Sequence, residues 1–147
     1  MGDGKKGGGK RLRPETLPRE HWKDDPEEHD FPAAANYLSL LADGRTIEGL
    51  VAALRSAPTS RGKAKDLLRA SRLPLLDTDN AHVISDLDKV RHGERLSPVL
   101  LVRGTLSDDG PLTVADGYHR ICASYHIDEK ADIPYRIVDL PRIGATE

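Results

Sequence analysis

The 147-residue chain holds one cysteine, one tryptophan and one phenylalanine, and aromatic residues make up 4% of it. A lone thiol excludes an intramolecular disulfide and a cysteine metal cluster, and it suits a reducing cytoplasm. The six histidines are scattered, with no cysteine or glutamate partner at ligand spacing, which argues against zinc. No run is long and apolar enough to span a membrane, and the start of the chain lacks the apolar stretch of a signal peptide. A cytoplasmic protein without membrane contact is therefore expected. A concentrated excess of positive charge is also missing: the formal net charge is -2. That argues against nucleic acid as the main ligand, because nucleic-acid surfaces displace counterions with clustered lysine and arginine. The length allows one domain with a modest core, plus tails.

Glycine, by contrast, is concentrated at the start, where five occur among the first nine residues. Mixed charges and Pro14, Pro18 and Pro26 follow, so residues 1–30 read as a disordered tail with a basic tip at Lys5, Lys6, Lys10, Arg11 and Arg13. Asp24, Asp25, Glu27, Glu28 and Asp30 then reverse the sign of the charge. Residues 31–72 read as a helical subdomain. Ala34, Tyr37, Leu38 and Leu41 form one apolar stripe at helical spacing, and Ile47, Leu50, Val51 and Leu54 a second. Asp43-Gly44 separates the two, and Pro58 ends the second. A third helix is predicted from Arg61 to Ser71, with Ala64, Leu67 and Leu68 inward and a basic outer face. The turn at Gly44 also permits a helix-turn-helix. However, Glu48, Gly49, Ala52 and Ala53 on the outer side of the second helix are not residues that read bases or hold phosphates.

From residue 73 the pattern turns to short strands and helices. Asp77-Thr78-Asp79-Asn80 is a polar turn. Ser85, with Asp88 three residues on, resembles a capping box and predicts a short helix through Leu87 and Val90, ending near Gly93. Val99 to Val102 reads as a buried strand, and Ser107 to Gly110 as a hairpin turn. Tyr135 to Leu140 forms a last strand, with Pro134 at its first residue or on an edge.

Between these lies the stretch that carries chemistry, Pro111 to Ile127. Leu112 and Val114 alternate with Thr113 and Ala115 as a strand does, and Gly117 supplies the freedom for a sharp turn into a helix. Tyr118, Ile121, Cys122 and Tyr125 then make an apolar stripe. His119 and Arg120 lie off that stripe in the first turn, where unpartnered N–H groups and the positive dipole end attract anions. With Asp116 beside them, the residues suit a phosphate or carboxylate. The alternative is that Arg120 bends away to pair with a carboxylate and His119 caps or packs.

Gly117, His119, Arg120 and Ala123 resemble the signature of the ParB/sulfiredoxin superfamily, a glycine, a basic pair and a small residue where a strand gives way to a helix. Sulfiredoxins carry Gly-Cys-His-Arg there, ParB-type partition proteins Gly-Glu-Arg-Arg, and ParB-related free-serine kinases Asp-Gly-His-His-Arg. Asp116-Gly117-Tyr118-His119-Arg120 is most similar to the last. The resemblance spans about residues 73 to 140. It implies an α+β fold with a ParB/sulfiredoxin-like small mixed sheet in residues 73–147, a nucleotide-binding module preceded by the helical subdomain. It also implies nucleotide binding by Gly117, Tyr118, His119 and Arg120, with ATP or another nucleoside phosphate and Mg2+. Tyr118 stands where sulfiredoxins have their reactive cysteine, which tells against sulfinic-acid reduction, and Cys122 sits on the apolar stripe. Relatives have a Gly-x-x-x-x-Pro loop near the nucleotide. Gly93 to Pro98 fits it and makes Glu94 a site candidate, with Asp77 and Asp79 behind it. In ParB-type proteins DNA-binding helices follow the module, whereas here the chain ends soon after it, a departure that weakens a partition role.

Two functional classes follow. In a phosphotransferase or nucleotide hydrolase, the Gly117 to Arg120 turn would cradle phosphates, Mg2+ would bridge their oxygens, and Asp116 or Glu94 would act as the catalytic carboxylate. In a non-catalytic regulatory module, bound nucleotide would alter how the helical part meets a protein partner, a second copy of the chain or a DNA-associated partner. A plain interaction module that binds no nucleotide is a third reading.

Overall fold

The computed structural model describes residues 21–141, so the basic tip of the tail lies outside the described residues. Helices α1 (Asp30–Leu38) and α2 (Gly44–Ser56) come first, then β1 (Ser60–Lys63) and α3 (Ala64–Ser71). Helix α4 (Ala81–Arg91), strands β2 (Val99–Val102) and β3 (Thr113–Asp116), helix α5 (Tyr118–Ile127) and strand β4 (Asp132–Val138) complete the order. Among the described residues the fold is α+β: five helices around one four-stranded mixed sheet of order β1-β4-β2-β3. Strand β4 runs antiparallel to β1 and parallel to β2, while β2 and β3 form an antiparallel hairpin.

Both faces of the sheet are covered, and the side-chain period of two in β2 explains how. Val99 and Leu101 enter a larger cluster with Trp22, Leu67, Leu68, Leu87, Val90, Ile121 and Ile133. Leu100 and Val102 point the other way, into a smaller cluster with Phe31, Ala34, Leu38, Leu50 and Leu54. Helices α1 and α2 thus cover one face, and α3, α4 and α5 the other. At roughly 25 cal/mol per Å2 of apolar surface removed from water, such side chains supply most of the stabilisation.

Several elements depart from the sequence reading. The residues Arg61 to Lys63, expected in the third helix, lie in β1, where Ser60 faces Tyr135 and Lys63 faces Asp132. Gly62 permits the pairing, since a Cβ there would sit 3.0 Å from the Tyr135 ring. Helix α3 begins only at Ala64. Helix α4 begins at Ala81 rather than Ser85, because the Asn80 side chain accepts from the N–H groups of His82 (2.9 Å) and Val83 (3.2 Å) and caps the helix earlier. Helix α1 stops at Leu38 and buries Phe31, Ala34 and Leu38. Leu41 is therefore 60% exposed, and Tyr37 also faces outward. Of the expected tail, His21, Trp22 and Asp30 are buried: Trp22 is 6% exposed, and its neighbours bond to Leu96 through Lys23 N–H (2.7 Å) and His21 C=O (2.8 Å). The sheet also takes strands from both sides of residue 72.

Arg136 fastens α2 to the sheet. Its Nη1 donates to the Leu54 and Arg55 carbonyls at 3.3 and 2.8 Å, a cation placed on the orphan carbonyls of a helix C-terminus.

Candidate functional site

Strand β3 delivers Asp116 to the end of the sheet, and Gly117 turns the chain into α5 with φ 111°. Glycine is required twice over. That φ disfavours any side chain, and a Cβ at residue 117 would lie 2.4 Å from Val99 Cγ1. The turn presents His119 and Arg120 in the first turn of α5, while Ile121 and Cys122 are fully buried behind them.

Arg120 is largely committed to the protein. Its Nε donates to the Ser97 carbonyl at 2.9 Å, and its Nη2 to the Pro98 carbonyl at 3.2 Å and to Asp116 Oδ2 at 3.0 Å. The guanidinium therefore ties the loop before β2 to the turn after β3. Of its five donors, the two on Nη1 have no protein acceptor among the described residues.

Helix α4 packs against α5 and brings a polar stripe to the same place. His82, Ser85, Asp86 and Lys89 recur at i, i+3, i+4 and i+7, one face of the helix. With Asp116, Gly117, His119 and Arg120 they line a polar cavity of about 240 Å3. The His82 and His119 rings lie with centroids 4.6 Å apart, tilted by 39°. Their ring nitrogens have no protein hydrogen-bond partner among the described residues. The other four histidines differ. The Nε2 atoms of His21 and His126 meet Ser124 Oγ and the Leu76 carbonyl, His92 Nδ1 meets the Asp88 carbonyl, and His29 pairs with Glu27 and Asp30.

The electrostatics of the cavity are set by burial first. Desolvation holds the His119 imidazole below its ordinary range, and the neighbouring His82 and Arg120 add to that against Asp86, which favours the neutral ring. Burial pushes the Asp86 carboxyl up, opposed by Lys89, Arg120, His119 and His82 around it. Asp116 is likewise raised by burial, against the pull of Arg120 and with a further rise from the neighbouring Asp30 carboxyl.

No family profile, curated protein or solved structure matches the chain.

Of the residues singled out from sequence, Asp116, Gly117, His119 and Arg120 meet in this cavity. Tyr118 does not: its hydroxyl donates to the Pro74 carbonyl at 2.5 Å, and its ring packs on the larger cluster. Glu94, Asp77 and Asp79 are exposed outside the cavity. Glu94 N–H donates to the Lys89 carbonyl, and Asp77 uses its carbonyl to close the turn on Asn80. Cys122 is buried, and burial pushes its thiol up, which suits packing rather than reactivity.

His82, Ser85, Asp86 and Lys89 were not found from sequence. Their helical spacing beside the buried stripe of Val83, Leu87 and Val90 was the available signal, but such a stripe usually faces water.

Larger hollows of about 480 and 520 Å3 flank Arg69 and Arg72. Their cations are largely answered, Arg69 by Asp66, Arg72 by Asp109 and Arg103 by Asp139. A third, of about 410 Å3, is lined by His21, Trp22 and Ile127 with charges of both signs.

Proposed function

We propose that the protein binds the phosphate end of a nucleoside phosphate in the cavity between α4 and α5, as the resemblance to the ParB/sulfiredoxin superfamily implies. The observation that carries this reading is the convergence of two imidazoles without protein hydrogen bonds among the described residues, the Arg120 guanidinium and Lys89, whose ammonium lies 3.8 Å from Asp86, on one polar cavity at the start of a helix. Ligand pockets usually run to about 300–1,000 Å3, so a cavity of about 240 Å3 suits phosphate groups, with sugar and base outside. Helix N-terminal amides and fixed cations are the groups that hold phosphate oxygens.

Magnesium fits the same place in one mode only. Among the described residues no group of three or more His, Cys, Asp or Glu side chains could hold a metal ion. Mg2+ is commonly held by one or two carboxylates plus substrate phosphates, and Asp86 and Asp116 are the carboxylates that line the cavity. Bound there, the ion would neutralise charge on the phosphate oxygens. Lys89 and Arg120 would orient the terminal phosphoryl group for transfer or hydrolysis. In the regulatory alternative, nucleotide binds and is released unchanged.

Calorimetry and thermal melts with ATP, ADP, CTP and GTP, with and without Mg2+, test the reading. Ligand at a hundred times its dissociation constant adds about 2.7 kcal/mol of stability. The expected result is a shift with at least one nucleotide that Lys89→Ala or His119→Ala strongly reduces. Arg120→Ala is a poor reporter, because it also cuts three internal hydrogen bonds. No shift with any nucleotide, or a shift indifferent to Lys89 and His119, overturns the proposal.

A further inference from the structure

A phosphoryl-transfer site ordinarily needs a base to activate its acceptor, and the carboxylates first considered for it are poorly placed. Asp116 is bound to Arg120 at 3.0 Å, and Glu94 lies outside the cavity. What the cavity does hold is a neutral nucleophile. His119 needs no base to activate it when its ring is uncharged, the form that desolvation and His82 favour. Neither of its ring nitrogens is consumed by a protein hydrogen bond among the described residues, and Lys89 and Arg120 line the same small cavity.

We propose that His119 is a covalent phosphoryl acceptor: it takes the terminal phosphoryl group of a bound nucleoside triphosphate and passes it to water or a second acceptor. The proposal rests on the nucleotide-binding reading above. In the first step the unprotonated ring nitrogen attacks the terminal phosphorus. A P–N bond forms, the P–O bond to the bridging oxygen breaks, and the nucleoside diphosphate leaves with that electron pair. The second ring nitrogen keeps its proton, so no base is required, and the ring's positive charge lies near Asp86, which already acts on His119 electrostatically. In the second step water attacks phosphorus, the P–N electron pair returns to the ring, and inorganic phosphate leaves with the protons of that water. Nucleophilic catalysis of this kind divides one difficult displacement into two easier ones. His82 is a positioning residue here. Its ring lies against His119 and disfavours the imidazolium that could not attack.

The test uses the full chain with ATP, GTP and CTP radiolabelled on the terminal phosphate, plus Mg2+, separated under alkaline conditions. The expected result is a protein-bound label that survives alkali and is lost in acid, the behaviour of a P–N bond, and that mass spectrometry places on the peptide carrying His119. It falls to background in His119→Asn, weakens in His82→Asn and persists in His126→Asn, whose Nε2 is occupied by the Leu76 carbonyl. Label that persists in His119→Asn overturns the proposal, as does absence of label in wild type. Calorimetry on the same samples then separates the two failures: nucleotide bound without label sinks the covalent step alone, whereas no binding sinks the site reading as well. A melting temperature for His119→Asn close to wild type shows that a lost label is not a lost fold.

Discussion

Residue 119 shows how local burial sets chemistry. Its depressed imidazole is neutral above the ordinary histidine range, and two opposite pH effects follow. In the free protein the group contributes stability that is present above the unfolded pKa and lost as pH falls through the lower folded value. A bound phosphate favours the imidazolium, so binding tightens as pH falls, while the neutral ring that attacks phosphorus is depleted and labelling slows over the same range. Between pH 8 and pH 6, nucleotide affinity should rise in calorimetry for wild type and change much less for His119→Asn. Unchanged affinity in wild type would remove His119 from the phosphate. Gly117 carries a second prediction. Alanine there meets Val99 at 2.4 Å with φ 111°, so Gly117→Ala should cost about 2–4 kcal/mol in urea unfolding. This turn was legible in the sequence because Asp-Gly followed by a basic pair announces both a backbone requirement and a charge. The commitment of Arg120 to Ser97 and Pro98 was not, since those carbonyls lie more than twenty residues away.

At the scale of elements, legibility depended on whether an element's cause lay within it. Helix α2 was readable from its stripe and from Asp43, whose carboxylate accepts from Thr46 N–H at 2.8 Å. Strand β1 was not: Ser-Arg-Gly-Lys has no alternation, and it is a strand because β4 lies beside it. Helix α4 was half legible. Ser85 and Asp88 imitate a capping box, yet Asn80 captures two amide groups earlier, and the extra turn is the one that carries His82. Asn80→Ala should therefore cost about 1 kcal/mol and also weaken nucleotide binding, with the amides of His82 and Val83 exchanging faster. A loss of stability without any effect on binding would mean that this first turn does not contribute to the site.

For the whole molecule, the sheet is the partition through which two cores are coupled. Trp22, the chain's single tryptophan, is buried on one side, and Leu54, fully buried, on the other. Leu54→Ala should destabilise by about 2–5 kcal/mol, and Trp22 fluorescence should record the same midpoint shift as far-UV circular dichroism. A fluorescence transition left in place would mean that the two faces unfold separately. The sequence divided the chain near residue 72 because helical periodicity changes there, but periodicity carries no information about which strands pair across that boundary. The order β1-β4-β2-β3 has one more consequence, for the chain as it is synthesised. β4, the last of the described strands to be made, is an inner one. A nascent chain that has exposed everything up to residue 131 holds a hairpin and an unpaired edge strand, so the sheet between its two cores is incomplete. Joining β1 to the hairpin must wait for Asp132–Val138 to be made, and until then part of the apolar surface on both sides stays open to water.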